Sequence, residues 1–96
     1  MAELTDNTAR RRFEMAADGG IAYVTYVRAG DRLILTHAEV PHAAEGHGVG
    51  SALVRAVLEE ARQCGLRVVP ECPFVAAFLR RHPEFADLVT EAGGVE

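Results

Sequence analysis

The sequence predicts an α/β (α+β) domain with a single mixed sheet, in which a β-hairpin meander is followed by one β-α-β crossover. Three observations carry this. Ile21–Arg28 (IAYVTYVR) and Arg32–Val40 (RLILTHAEV) are rich in β-branched and aromatic residues and are joined by the tight connection Ala29-Gly30-Asp31, the pattern of a hairpin. Val49, Leu53, Val57 and Ala61 then recur at every fourth position, with Val54 and Leu58 widening the stripe and Arg55, Glu59 and Arg62 opposite it, which is an amphipathic helix. Leu66–Val69 is a short apolar run stopped by Pro70. A right-handed crossover would lay it parallel to Leu33–Val40.

The remaining elements follow in order. A strand signal begins at Arg12–Met15 and ends in the turn Asp18-Gly19-Gly20. Pro41 closes the second hairpin strand, and Gly65 is placed to cap the long helix. After Cys72-Pro73, the apolar residues Phe74, Ala77 and Phe78 mark a second helix that ends before Pro83. A last short turn, Glu84–Val89, packs Phe85 and Leu88. The 96 residues make one domain without repeats or an internal linker, and residues 1–10 and 90–96 are expected to fray.

Composition narrows the class. With 49% apolar and 25% charged residues the chain reads as an ordinary soluble globular protein, and a formal charge of −4 argues against a broad nucleic-acid footprint. No apolar run approaches the roughly 20 residues needed to cross a bilayer. The polar start MAELTDNTAR is no secretory signal, so the expected location is the cytoplasm. Cys64 and Cys72 lack CxxC spacing. A disulfide between them is not expected, and Cys64, late in the helix, is expected to be buried. His37, His42, His47 and His82 form no zinc pattern, so no metal is expected. An exposed edge strand in the early hairpin would permit pairing, giving a monomer or a weak dimer.

The functional signal lies between the second strand and the long helix. Gly46, Gly48 and Gly50 alternate just ahead of the helical pattern, where glycine is costly. A glycine-rich loop between a strand and a helix N-terminus is the arrangement that binds phosphate, because free amides and the helix dipole both face an anion there. The nucleotide P-loop is excluded, since Gly50 is followed by Ser51-Ala52 and no lysine is near. The dinucleotide fingerprint is excluded by the alternating spacing and the short chain. A plain tight turn without a ligand remains the alternative.

On these residues the chain resembles the GCN5-related N-acetyltransferases. GHGVGSALV, following a strand that ends in EVP, is similar to that superfamily's acetyl-CoA motif, with Gly48 and Gly50 at its glycines. Glu45 departs from the motif, standing where Gln or Arg is usual. GLRVVPECPFVAAFLRRHPEFADLV resembles the small single-domain branch, with its Cys-Pro-Phe step after the strand and Arg-His-Pro-Glu step at the helix end. The resemblance covers about Thr36 to Val89. It implies a minimal fold of that superfamily, acetyl-CoA or CoA as cofactor, and a split between Ala38-Glu39-Val40 and Val69-Pro70-Glu71 that admits the pantetheine arm beside Val40. It also implies that amides of Gly46, His47, Gly48, Val49, Gly50 and Ser51 hold the pyrophosphate. Phe74 and Phe78 would flank the arm, and Arg80 or Arg81 would reach a CoA phosphate.

Acyl transfer to an amine needs a base for the ammonium proton and an acid for the departing thiolate. Alternation along RLILTHAEV places Leu33, Leu35, His37 and Glu39 on one face, so that Glu39, or His37 through water, is the candidate base; both could equally cap the strand end in solvent. Cys72, ahead of Pro73 at a helix start, is a candidate to protonate CoA thiolate, to accept the acetyl group or to form a mixed disulfide, against a plain packing cysteine. The tyrosine that many relatives carry on the last helix as general acid is missing, because Phe78 and Leu79 stand there. The leading reading is an acetyl-CoA-dependent N-acetyltransferase acting on a primary amine of a protein or peptide, with an open acceptor side. A CoA-binding module with little or no turnover comes second, and a structural domain without a ligand third.

Overall fold

In the computed structural model, which describes residues 3–90, five strands form one sheet in the order β1-β2-β3-β4-β5. They are β1 (Thr5–Asn7), β2 (Arg12–Ala17), β3 (Gly20–Ala29), β4 (Arg32–Glu39) and β5 (Arg67–Pro70). The first four are an antiparallel meander, and β5 pairs parallel to β4 across the crossover helix α1 (Val49–Gln63). α2 (Pro73–Arg81) follows β5, and a 3-10 segment at Pro83–Leu88 ends the helical part. The predicted meander, crossover and second helix are all present. The sheet gains β1, which the sequence reading left among fraying residues: its register Thr5↔Glu14 to Asn7↔Arg12 makes it a short edge strand. Residues 91–96, most of the other stretch expected to fray, lie outside the described residues.

Alternation places one set of side chains under α1. Phe13 and Met15 of β2, Ala22, Val24 and Tyr26 of β3, and Leu33 and Leu35 of β4 are buried against Leu53, Val54, Val57, Leu58 and Ala61 of α1. Val75, Phe78, Phe85 and Leu88 complete that core from the C-terminal elements. α1 ends as its Gly65 predicts. Gly65 takes φ 70°, its N–H bonds Arg62 O at 3.2 Å, and Leu66 N–H bonds Ala61 O at 2.9 Å, which together satisfy two of the last free carbonyls. Arg62 also ties the C-terminal segment to α1, pairing with Asp87 at 2.7 Å and donating to Glu84 O at 3.0 Å.

The regular alternation of β4 breaks once, and this corrects the sequence reading. Tyr26 pairs with Leu35, but Thr25 pairs with His37, so Thr36 is an extra residue in the strand. Such a bulge reverses the phase of every later side chain. Leu33 and Leu35 face the core, and beyond the bulge Ala38 and Val40 pack against it instead. His37 and Glu39 are thereby carried to the opposite, exposed face, not the face of Leu33 and Leu35. The bulge is held by its own hydroxyls: Thr36 Oγ1 lies 2.7 Å from Thr25 Oγ1 and donates to Thr25 O at 3.2 Å. Cys64 is also corrected. It is exposed, because it is the C-cap residue of α1 and lies past the buried stripe.

Tyr26 joins the edge strand to the core, and its hydroxyl donates to Asp6 at 2.6 Å. Burial first, and then that bond, push the phenol up to about 12 from an ordinary 10.0. The unfolded chain therefore loses this proton before the folded one does, and stability falls as pH rises from about 10 to about 12. Tyr26→Phe should lower stability by about 1 kcal/mol at neutral pH and flatten that alkaline decline. Urea unfolding across the alkaline range measures both.

Candidate functional site

Two features of the chain meet at the C-terminal end of β4. The first is the end of the parallel ladder. Between Pro70 and Pro73 the prolines have no N–H, Glu71 N–H bonds Val69 O at 3.1 Å, and Cys72 N–H bonds Leu35 O at 2.9 Å. The β4–β5 register stops at Leu35↔Pro70, and Pro73 turns the chain into α2. From Thr36 to Glu39, β4 pairs with β3 alone. The split expected between Ala38-Glu39-Val40 and Val69-Pro70-Glu71 is therefore present, with one edge of β4 unpaired by β5.

The second feature is the start of α1. The loop after Pro41 makes a 3-10 turn at His42–Ala44 and then reaches Gly46 and Gly48, at φ 82° and 77°. Gly48 is the N-cap, in the left-handed region that glycine alone enters at no cost. It offers no side chain to the amides of the first turn, and that turn holds no acidic residue. The first backbone bond of the helix is Ala52 N–H to Gly48 O at 3.0 Å. Among the described residues, no protein acceptor takes the N–H groups of Gly46, Gly48, Val49, Gly50 or Ser51. Helix N-termini are usually capped by Ser, Thr, Asp or Asn. This one keeps both its amides and the positive end of its dipole open to an external anion.

The start of α1 and Val40, the residue that follows β4, share a cleft of about 380 Å³, lined by Val40, Ala44, Glu45, Gly46, Gly48, Val49, Gly50, Ser51 and Phe74. Six of the residues expected at the glycine loop and the split (Val40, Gly46, Gly48, Val49, Gly50 and Ser51) line it, and Phe74 makes the opposite wall. Glu45, the acidic departure in the loop, lies 3.3 Å from His42 Nδ1. His47 is exposed and lines an adjoining groove with Met15, Ala16 and Ala52, which shares Gly48 and Val49 with the cleft.

Other expected residues stand apart from this cleft. Phe78 is buried in the core, stacked on His82 at 3.9 Å between ring centres, and lines no part of the cleft. Helical spacing explains the difference from Phe74: four positions on, Phe78 lies one turn further along α2, where His82 and Phe85 flank its ring. Arg80 borders a shallow groove with Leu79, Ala86, Val89 and Thr90, and Arg81 is exposed in the last turn of α2. Neither lines the cleft at the start of α1. Cys72 is the N-cap residue of α2 with its side chain buried in the core cluster, so the structure favours packing for this thiol.

A sequence model of the GCN5-related N-acetyltransferases matches residues 12–88, from β2 through the final 3-10 segment. The chain belongs to that family. The solution NMR structure of a GCN5-like candidate N-acetyltransferase from Staphylococcus aureus superposes with a TM-score of 0.71 at 25% identity, over 93% of this chain and 88% of that one. No curated protein matches the sequence. Acetyl transfer is the activity that family and fold both support for this acetyltransferase. No helix among its described residues is long and apolar enough to cross a membrane.

On the exposed face beside the split, His37 Nε2 and Glu39 Oε1 are 2.6 Å apart, with side chains 59% and 54% exposed. Register brings two further residues there that the sequence reading did not single out. Tyr23 pairs across from Glu39 and lies 6.4 Å from the His37 ring, and Arg12 covers the Tyr23 ring at 4.2 Å while bound to Glu14 at 2.6 Å. The alternation of β2 and β3 signals which face these residues take. Only the bulge at Thr36 decides that His37 and Glu39 join them.

The two thiols should separate by reactivity. Cys64 is exposed, although its bond to Glu60, then burial, hold its pKa above the ordinary value; Cys72 is shielded. At about pH 8 an excess of N-ethylmaleimide should modify Cys64 in the folded acetyltransferase and Cys72 only on unfolding. Peptide mapping by mass spectrometry checks this, and equal labelling of both in the folded state would place Cys72 within reach of solvent.

Proposed function

We propose that the chain is an acetyl-CoA-dependent N-acetyltransferase whose acceptor is a primary amine on a protein or peptide. The observation that carries this is the uncapped start of α1, whose free amides open into a cleft also lined by Val40, the residue that follows the unpaired end of β4. Pyrophosphate fits the first, because several convergent N–H groups and a helix dipole stabilise an anion without a cationic side chain. An arm carrying amide groups fits the second, because Thr36–Val40 offers backbone donors and acceptors that β5 leaves unused. Val40 and Phe74 supply the apolar walls, and Gly46 to Ser51 the phosphate cradle.

In this reading Glu39, directly or with His37 and a water, takes the proton from the acceptor's ammonium group. The free amine then attacks the thioester carbonyl, the C–S bond breaks, and the departing thiolate takes up a proton. Direct transfer suits the burial of Cys72 better than an acetylated cysteine does. Cys72 enters only as the proton donor for the thiolate, once a ligand in the split uncovers it. The exposed position of His37 and Glu39 suits an acceptor amine on a flexible peptide or protein segment, in a cytoplasmic monomer or weak dimer with no nucleic-acid or membrane partner.

A second reading, a CoA-binding module with little turnover, is favoured by two observations: α2 carries no tyrosine to serve as acid, and the Cys72 thiol is buried. Both readings share the donor site and separate at catalysis. Calorimetric titration of the reduced protein with CoA and acetyl-CoA should give micromolar or tighter binding. Gly48→Glu should abolish it, whereas Gly48→Gln, which carries the same left-handed strain of about 1–2 kcal/mol, should weaken it far less. No heat and no thermal stabilisation at millimolar ligand would remove both readings. Given binding, Glu39→Gln should lower transfer by about 10²–10⁴-fold without loss of donor affinity if Glu39 is the base. Undiminished transfer in that variant would assign the base elsewhere.

A further inference from the structure

Gly50 differs from the other glycines of the loop. Gly46 and Gly48 have positive φ and open space around the position of a Cβ, whereas Gly50 is an ordinary helical residue. Its backbone gives no reason for glycine, which weakens a helix relative to alanine. Its surroundings do. A Cβ there would stand 2.7 Å from Phe74 Cζ, 3.2 Å from Phe74 Cε2 and 3.5 Å from Val40 Cγ2. The tip of the Phe74 ring thus rests on bare helix backbone, and Val40 closes in beside it. This three-way contact lies between the free amides of α1 and the unpaired end of β4, the two features the donor reading joins.

Phe74 is 44% exposed, while Phe13, Phe78 and Phe85 are all buried. An aromatic that served the core alone would be enclosed like these three. Phe74 leans on Gly50 and Val40 on one side and meets solvent on the other, so rotation of the ring away from Gly50 breaks few contacts and no hydrogen bond. Such side-chain rotations are fast where a residue is exposed.

We propose that Phe74 gates the donor cleft: a ligand whose phosphates sit on the α1 amides can run its arm along β4 only after the Phe74 ring leaves Gly50, and the ring then closes against the arm. Gly50 is glycine because it is the seat of this gate. The inference rests on the donor-site reading above and assigns to Phe74 control over entry and retention of the arm.

The test uses the whole reduced protein and two probes in stopped-flow binding. CoA has both phosphates and arm. Adenosine 3′-phosphate 5′-diphosphate has the phosphates and no arm. A conformational step before docking slows association, so Phe74→Ala should raise the CoA association rate about tenfold and its dissociation rate by more, while both rates of the armless probe stay within about twofold. Gly50→Ala, whose new methyl displaces the ring, should also speed CoA association, and Phe74→Trp should slow it. The gate is overturned if neither Phe74→Ala nor Gly50→Ala changes CoA association, or if both probes respond alike. Wild-type protein that binds neither probe would overturn the donor site itself. Binding of both probes with unresponsive variants would remove the gate and leave the site. Truncation of an exposed ring spares the fold, so Phe74→Ala keeps the test decisive if Gly50→Ala should fail to fold.

Discussion

The site depends on the point where β4 and β5 run out of hydrogen bonds. A parallel pair stays together only while each strand presents donors and acceptors to the other. Here the last donor from the β5 side is Cys72 N–H, bound to Leu35 O; the next residue, Pro73, has none and starts α2. β4 continues for four residues with β3 as its only partner. A free backbone edge inside a folded domain is ordinarily a liability. Here it ends at Val40, which lines a cleft together with the start of α1, so the same geometric event opens the strand edge beside that helix end.

The start of α1 meets this cleft with glycine-rich backbone. The chain has ten cationic residues, all arginine, yet none lines the cleft. Arg12 pairs with Glu14, Arg55 with Glu84 and Arg62 with Asp87, and these contacts serve the sheet surface and the docking of the C-terminal segment. At the start of α1 the usual devices for satisfying a helix N-terminus are missing: Gly48 has no capping side chain and no acid stands in the first turn. Open amides and an uncompensated dipole are mildly unfavourable to the isolated fold and become favourable when an anion binds. Glu45 bears against this, and its contact with His42 is the local response.

Ionisable groups and core are sorted by the bulge at Thr36. Without the extra residue His37 and Glu39 would point at α1, where an ionised pair would be costly to bury. With it they share an exposed face with Tyr23 and Arg12, while Ala38 and Val40 continue the core beneath. The strand thereby meets two demands, apolar contact with the helix layer and an ionisable face at the split.

The sequence by itself determined the elements and the place of the loop. Alternation in β3 and in β4 as far as Leu35, the four-residue period of α1, the cap at Gly65 and the prolines at 70 and 73 are local signals, and local physics reads them directly. The glycines marked the uncapped start of α1 for the same reason, since backbone freedom is a property of the residue. What only the tertiary structure decided depends on register and depth. One inserted residue in β4 reversed the faces of His37 and Glu39, a change that alternation counting misses because a bulge has no strong sequence signature. Phe74 and Phe78 look equivalent on a helical wheel, and the crossing of α2 over α1 made one a cleft wall and the other core. Cys64 is exposed against expectation, and Cys72 is buried, because burial is set by which element lies above a side chain. The edge strand Thr5–Asn7 formed although Asp6 and Asn7 are poor strand residues, because β2 offered it an unpaired edge and Tyr26 a hydroxyl for Asp6.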